Sequence, residues 1–455
     1  MDATTYQDYV NILHEELVPA MGCTEPIAIA YAAAVARQTL GRPAQRMEVE
    51  ASGNIIKNVK SVFVPNTGGL RGIPAAAAAG MAAGDPALEL EVLSSIGEGE
   101  QAAIRQYLAD TPIAVKLADS PFIFDIAIRA WAGEDSALVR IVNYHTNIVR
   151  VERNGQVLKE VEAQAAAEEG LTDKSVLTVE GILEFAREAA LADVEEAVGR
   201  QVRYNTAIAQ EGLRGDYGAN IGKVLLATYG DDVKIRAKAM AAAGSDARMN
   251  GCGLPVVIVS GSGNQGLTAS LPVVEYAKEL GADWETTLRA VLVSDLVTIH
   301  LKAEIGRLSA YCGAVSAGCG SGAGIAWLYG REKEPQALLK DVSHTIVNAL
   351  AVDSGIVCDG AKASCAAKIA SAVDAGLLGF YMYQNGQQFR GGDGIISKGV
   401  EQTIRNIGLL ATQGMRETDR EILDIMTTRC RLFYKILPCG LFLTKTSQKA
   451  FILCL

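Results

Sequence analysis

Four cysteines lie close together in two glycine-containing stretches of this 455-residue chain. Cys312 and Cys319 belong to YCGAVSAGCGSGAG, and Cys358 and Cys365 lie in VCDGAKASC. A fifth, Cys23, lies in MGCTEP. Most are flanked by glycine or loop-forming residues, where a thiolate can reach a metal without bulky neighbours. These thiols are therefore candidate metal or cluster ligands.

The spacing of the four later cysteines does not fit a common metal motif. The gaps are seven, 39 and seven residues, whereas structural zinc prefers close C-x-x-C pairs and ferredoxins use shorter runs. Such spacing suits a cluster held between separate helices and loops. Buried inert cysteines fit it equally well. A pyridoxal phosphate enzyme with Lys362 or Lys57 as the Schiff base is also open.

The segment GSGNQG, residues 261–266, matches the dinucleotide fingerprint G-x-G-x-x-G. The surrounding pattern is helical and lacks the alternating strands of a doubly wound sheet. We favour an anion site at a helix start, where backbone amides hold a small anion such as a substrate carboxylate. A tight helix–helix turn and a nucleotide-binding loop remain the alternatives.

The elements around these motifs predict an α+β fold. Apolar residues recur at helical spacing in the first 17 residues, and an alanine-rich helix follows GCTEP. Residues 46–164 contain short alternating or β-branched runs, LELEVLS among them, and one helix near 74–84, which predicts an inserted module with a mainly antiparallel sheet. Residues 165–426 are again helical, so residues 1–45 plus 165–426 form a predicted discontinuous catalytic domain. Residues 427–455 form an atypical basic tail with three cysteines, which we interpret as foreign to this domain.

Composition restricts the partners and the compartment. The net charge is -10 without a dense basic patch, which argues against nucleic acid. The chain starts without the basic and apolar regions of a signal peptide, and no uninterrupted apolar run is long enough to span a bilayer. We expect a cytoplasmic protein, in which the nine cysteines stay reduced.

Six motifs in order carry a family resemblance: GCTEP, SGNIIKN, PNTGG, GSGNQG, AGCGSGAG and CDGAKASC. Together they resemble the L-cysteine desulfidase family, UPF0597, which is related to the catalytic α-domain of iron–sulfur L-serine dehydratases. The resemblance covers roughly residues 5–426. It implies a [4Fe–4S] cluster on three cysteines with one open iron. Matching motif to motif nominates Cys319 over Cys312, together with Cys358 and Cys365.

The resemblance also implies an activity, β-elimination of L-cysteine to pyruvate, ammonia and hydrogen sulfide. Cys23 is our first choice as the base and Glu25 the second. Serine deamination on the same cluster and a non-catalytic cluster or metal-binding protein are the alternatives. The expected partner is a small amino acid, without nucleic acid or membrane, and a homodimer is left open. The candidate substrate-binding residues are Lys57, Asn66, Thr67, Arg71, Ser262, Asn264, Gln265 and Lys362.

Overall fold

The computed structural model describes residues 1–164 and 171–436, with side chains as far as residue 426. The helices in this part of the chain are α1 Ala3–Glu16, α2 Thr24–Leu40, α3 Gly53–Val59, α4 Gly72–Ala83, α5 Glu98–Asp110, α6 Val179–Glu188, α7 Leu191–Arg214, α8 Ile221–Tyr229, α9 Val233–Met249, α10 Gly263–Glu279, α11 Trp284–Ile305, α12 Gly313–Gly330, α13 Pro335–Val352, α14 Cys365–Gln384, α15 Val400–Leu409 and α16 Arg416–Ile436. The strands are β1 Pro19–Met21, β2 Arg46–Ala51, β3 Ile113–Leu117, β4 Asp125–Ala132, β5 Asp135–Val142, β6 Ile148–Arg153, β7 Gln156–Glu160 and β8 Pro255–Val257.

The described chain divides into two compact units. The helical unit comprises residues 1–22, 171–358 and 362–414, and the sheet unit comprises 23–164, 359–361 and 415–436. The predicted α+β class is confirmed. The predicted domains place α2 with the helical body, whereas in the structure α2 packs on β4, β5 and α4 of the sheet unit. The predicted tail lies outside the described residues from 437 onward.

The sheet unit contains a six-stranded sheet with the order β3-β2-β4-β5-β6-β7. Only β2 and β3 pair in parallel; the other neighbours are antiparallel, as the sequence predicts. The hairpin between β6 and β7 turns at Asn154 and Gly155, which both have positive φ. Helices α2 and α4 approach closely, because a Cβ built on Gly80 would lie 1.9 Å from the carbonyl oxygen of Ala30.

The strand predicted for LELEVLS, residues 88–94, was wrong. LELEVLS is one of the alternating runs, but its first residues lie in a 3₁₀ helix, Pro86–Glu91. Pro86 starts this helix and the Asp85 carboxylate accepts a hydrogen bond from the Ala87 amide at 3.0 Å, so local capping outweighs β propensity. Among the described residues, one helix, α14, is long and apolar enough to span a membrane by length and composition, although it contains Lys368 and Asp374. It packs against α9, α12 and α13 as a core helix.

Helices α12 and α14 lie at the centre of the helical unit, and small residues let their backbones approach. A Cβ on Gly318 would lie 2.2 Å from the carbonyl oxygen of Ala372, and one on Gly322 would lie 2.7 Å from that of Gly376. Both residue numbers increase by four from one contact to the next, so the two helices run parallel. Their N-terminal ends therefore lie side by side.

Candidate cysteine cluster

The parallel pairing of α12 and α14 places two cysteines at the same end. Cys312 is the N-cap of α12, and Cys365 is the first residue of α14. Extending the contact between Gly318 and Ala372 back by six residues, about 1.7 turns, brings position 312 opposite position 366. Both thiols therefore lie at helix N-termini, where the backbone dipoles favour negative charge.

A short backbone ladder adds the third cysteine, Cys358. The amide of Cys312 donates to the carbonyl of Ile356 at 3.0 Å, and the amide of Cys358 donates to the carbonyl of Ala310 at 2.7 Å. Between these two bonds, Tyr311 and Val357 form an antiparallel bridge. The ladder holds Cys312 and Cys358 side by side, although 46 residues of chain separate them.

The three thiols interact electrostatically. The pKa of Cys312 is raised most by a hydrogen bond with the Cys358 thiol and next by burial. The charge of Cys365 raises it further. Burial raises the pKa of Cys365, while the nearby Lys362 ammonium acts in the opposite direction. All three side chains are half-buried by solvent accessibility. Three mutually repelling thiolates need a positive centre among them to be stable together.

Cationic groups surround these thiols. Lys302, on the last turn of α11, is 4% exposed, and burial lowers its pKa to about 8 while Cys358 and Cys312 act against this fall. Its ammonium donates to the carbonyl of Arg307 at 3.5 Å. Lys302 was missed by the sequence analysis, because a single lysine in an apolar helix carries no motif. Lys362, which was predicted, precedes Cys365 by three residues.

Cys319 lies away from this group. Seven residues of α-helix separate it from Cys312, a rise of about 10 Å along the axis of α12. Its thiol donates to the carbonyl of Ile346 on α13 at 3.5 Å, and complete burial raises its pKa. The structure thus brings together Cys312, Cys358 and Cys365, whereas the sequence-based choice was Cys319 with the same two partners.

The donor set fits an iron–sulfur cluster better than a single ion. Among residues 1–164 and 171–426, no three His, Cys, Asp or Glu side chains converge on a point that would hold one metal ion. A [4Fe–4S] cluster distributes its thiolates over separate irons, so its ligands need not converge. Three neighbouring free thiols, two of them at helix N-termini, are compatible with that arrangement, and a bound metal deprotonates such thiols outright.

The predicted base residues form a hydrogen-bonded chain in the sheet unit. Cys23 is the N-cap of α2, and its thiol donates to Glu25 Oε2 at 3.0 Å. Glu25 Oε1 accepts from the Asn58 amide at 2.9 Å. All three side chains are at most 8% exposed. The carboxylate is thus oriented by an amide on one oxygen while the other is directed at the thiol.

Lys57 has a partner in the sheet unit. This lysine of α3 is 3% exposed and forms an ion pair with Asp419 of α16. The loop at Gly360 packs on its backbone, since a Cβ there would lie 2.4 Å from the Lys57 carbonyl oxygen. Gly360 has a φ of +92°, so glycine suits both the conformation and the contact.

The other predicted substrate residues of the sheet unit stabilise one turn. Asn66 has a φ of +56° and donates to the Leu93 carbonyl at 3.0 Å, while the Thr67 hydroxyl donates to the Val64 carbonyl at 2.7 Å. The Arg71 guanidinium lies over the ring of Phe63, 3.7 Å from its centroid. These contacts explain the motif PNTGG as a turn.

Ser262, Asn264 and Gln265 lie at the start of α10, as the anion hypothesis requires. The preceding strand β8 pairs antiparallel with β1 in a two-stranded sheet. A dinucleotide fingerprint needs the parallel sheet of a βαβ unit, and the sheet to which β8 belongs has no parallel pairing. The geometry therefore supports a helix-start anion site over a nucleotide loop.

Comparison with known proteins identifies relatives of the whole chain. Residues 87–424 match the family described as the serine dehydratase alpha chain. A UPF0597 protein of Desulfitobacterium hafniense strain Y51 is 58% identical over 425 residues, which cover 93% of this chain and 97% of the relative. UPF0597 proteins of Lachnoclostridium phytofermentans and Treponema denticola are 51% and 45% identical, covering 92% and 94% of this chain and 99% of each relative.

Proposed function

Because this chain belongs to the UPF0597 family and to the serine dehydratase alpha chain family, we propose that it is an iron–sulfur-dependent lyase that eliminates sulfide from L-cysteine. The products would be pyruvate, ammonia and hydrogen sulfide. The observation that carries the proposal is the grouping of three thiols: Cys312 and Cys365 lie at the N-termini of two parallel helices, and a backbone ladder brings Cys358 beside Cys312. Inert core thiols would not need to be gathered from three separate segments.

In this proposal Cys312, Cys358 and Cys365 hold a [4Fe–4S] cluster. When bound, such a cluster with one open iron supplies a Lewis acid for the leaving group of the substrate. Lys302 and Lys362 supply positive charge beside the thiolates.

The chain itself would supply the base. The Glu25 carboxylate accepts the proton of the Cys23 thiol, and the resulting thiolate removes the Cα proton of the substrate. Asn58 keeps the carboxylate oriented toward the thiol. Loss of the Cα proton allows the Cβ–S bond to break, with its electron pair leaving on sulfur. The aminoacrylate that forms tautomerises to an imine, and one water hydrolyses this imine to pyruvate and ammonia.

Serine deamination by the same residues is the second candidate, and the family match favours it directly. It differs in the leaving group, which is hydroxide in place of sulfide. Iron prefers soft sulfur ligands in thiol-rich sites, and this supports cysteine. We expect activity in the cytoplasm, where a cluster and its thiols stay reduced.

The iron and acid-labile sulfide content of anaerobically purified protein is the measurement that tests the proposal. We expect about four of each per chain. Cys312→Ala should lose the cluster, while Cys319→Ala is the matched control on the same helix and should retain it. The reverse result would restore the sequence-based choice of Cys319. Protein that is reconstituted under anaerobic conditions and still holds no iron would refute the proposal.

Turnover separates the two substrates. The parent protein should release sulfide and pyruvate in equal amounts from L-cysteine, with a kcat/KM above that for pyruvate release from L-serine. A higher kcat/KM for serine would select the dehydratase alternative. If the protein holds the cluster but turns over neither substrate, the alternative of a non-catalytic cluster protein would be selected.

A further inference from the structure

We propose that Arg248 and the first turn of α10 form the binding site for the α-carboxylate of an amino acid. That this ligand is the substrate rests on the proposed function. Arg248 is the cationic residue of the site, and no sequence motif indicates it. The inference also selects α-amino acids, as opposed to amines or amides, as the ligand class of this site.

Arg248 is a buried cation at the C-terminal end of α9. Its side chain is 3% exposed, and its Nε has no hydrogen-bond partner among the described residues. Its guanidinium donates a hydrogen bond to the sulfur of Met249 at 3.3 Å, and sulfur is a weak acceptor. No carboxylate of the described residues forms an ion pair with it. A buried guanidinium of this kind requires an anion, because burial of an uncompensated charge is costly.

The guanidinium is directed at the helix start. A Cβ built on Gly263, the first residue of α10, would lie 2.3 Å from Arg248 Nε and 2.9 Å from its Cζ. The N-cap, Ser262, does not accept a side-chain hydrogen bond from the first amides of α10. The free amides of a 17-residue helix and a buried arginine thus face the same point.

Acceptors for an ammonium group lie on the same turn. Gln265 Oε1 and Asn264 Oδ1 are both buried atoms without a partner among the described residues. The Asn264 amide group contacts the Met249 sulfur at 3.5 Å, the atom that Arg248 also contacts. One face of the site therefore presents hydrogen-bond donors and a cation, and the adjoining face presents amide oxygens. This pattern complements the zwitterion of an α-amino acid.

Gln265 connects this site to the thiols. A Cβ on Gly313 would lie 2.8 Å from both Cδ and Nε2 of Gln265. Gly313 directly follows Cys312, so the amide of Gln265 lies beside the N-terminus of α12. An amino acid held at α10 by its carboxylate and ammonium would thus have its side chain near the cysteine group. This placement suits a reaction at Cβ.

Calorimetry with two probes tests the site without relying on turnover. L-Alanine carries the carboxylate and the ammonium but no leaving group, and L-alaninamide lacks the carboxylate. The anaerobic parent protein should bind L-alanine about 10- to 100-fold more tightly than L-alaninamide, the range expected for one charge-assisted hydrogen-bonding group. Equal binding of both probes, or binding of neither, would overturn the inference.

Substitutions assign the effect to the arginine. Arg248→Gln should abolish the preference for L-alanine, and Arg248→Lys should reduce it less. Arg200→Gln is the matched control, because Arg200 also has a buried Nε but lies within 3.6 Å of the Glu196 carboxylate. An Arg248→Gln protein that keeps the parent preference would refute the assignment.

A second variant covers the case in which Arg248→Gln does not fold. Gly263→Ala places a methyl group 2.3 Å from Arg248 Nε and 2.6 Å from Val256 Cγ2, so it should displace the guanidinium from the helix start and weaken L-alanine binding at least 10-fold. Gly99→Ala, in α5, has open space around its Cβ and is the control. Iron content and cysteine elimination are read separately. If the protein binds L-alanine selectively but holds no iron, the carboxylate site is retained and the proposed function is refuted. If both site variants eliminate cysteine as fast as the parent protein, the proposed function is retained and the carboxylate site is refuted.

Discussion

The buried carboxyl group of Asp295 makes stability depend on pH in a direction that can be measured. Asp295 lies on α11 and is fully buried, and its Oδ1 accepts a hydrogen bond from the Gln201 amide at 2.9 Å. Its Oδ2 and the Oε1 of Gln201 have no partner among the described residues. Burial raises the pKa of Asp295 from 3.8 to about 8. The native protein therefore keeps a proton on this group at neutral pH, which the unfolded chain has lost.

The sign and size follow from this difference. Between pH 4 and pH 8 the native state binds one more proton than the unfolded state, so Asp295 makes the free energy of unfolding fall as the pH rises. The fall is about 1.4 kcal/mol for each pH unit. An asparagine side chain at this position would have nearly the same shape and would not titrate. We therefore expect the stability of Asp295→Asn relative to the parent to rise by about 3 kcal/mol between pH 5.5 and pH 7.5.

Urea unfolding at pH 5.5, 6.5 and 7.5 measures this relative stability. Asp246→Asn is the comparison variant, because burial raises the pKa of Asp246 only to about 6. Its stability relative to the parent should stop rising near pH 6, while that of Asp295→Asn continues to rise. A constant difference between Asp295→Asn and the parent across this range would show that Asp295 is ionised in the native protein, and the reasoning would fail.

Three further outcomes are expected. Glu25→Gln should lower kcat for cysteine elimination by about 10²- to 10⁴-fold without loss of iron, because the Cys23 thiol loses its proton acceptor; unchanged kcat would remove Glu25 from the proposed mechanism. Asp419→Asn should destabilise the protein by about 3 kcal/mol in urea unfolding, because it leaves the buried Lys57 ammonium without its carboxylate; an effect near zero would mean that the ammonium finds another anion. Gly266→Ala should cost about 3 kcal/mol or prevent folding, since its Cβ would lie 2.0 Å from the carbonyl oxygen of the strand before it, and a soluble variant with parent stability would contradict this packing.

The sequence predicted the elements that local patterns determine. Alternating β-branched runs indicated β4 and β5, and alanine-rich helical runs indicated α2 and α4. The assignment of α2 to a unit could not be predicted, because a helix that is buried all around has no polar face to indicate its neighbour. The run after Pro86 was assigned to a strand because its apolar and charged residues alternate, whereas it forms a capped 3₁₀ turn.

The sequence predicted that cysteines form the candidate site, but it did not predict correctly which cysteines lie together. Cys358 and Cys365 were named from one motif, but the choice between Cys312 and Cys319 depends on a ladder between segments that are far apart in sequence. Arg248 gave no signal at all, because it reaches the start of α10 from a different helix. Motifs thus located the loops, whereas long-range packing determined which side chains meet.

The packing of α12 against α14 gives a physical reason for the glycine and alanine content of this region. Close approach requires small residues such as Gly318 and Gly376, and a parallel arrangement brings two positive helix ends to one place. Two like dipole ends repel each other, and Lys302 and Lys362 add positive charge there. This arrangement is unfavourable by itself, and anionic thiolates at the same place, as in the proposed cluster site, would compensate it. Three neutral thiols would leave these positive groups uncompensated, whereas the thiolates of the proposed cluster site would compensate them.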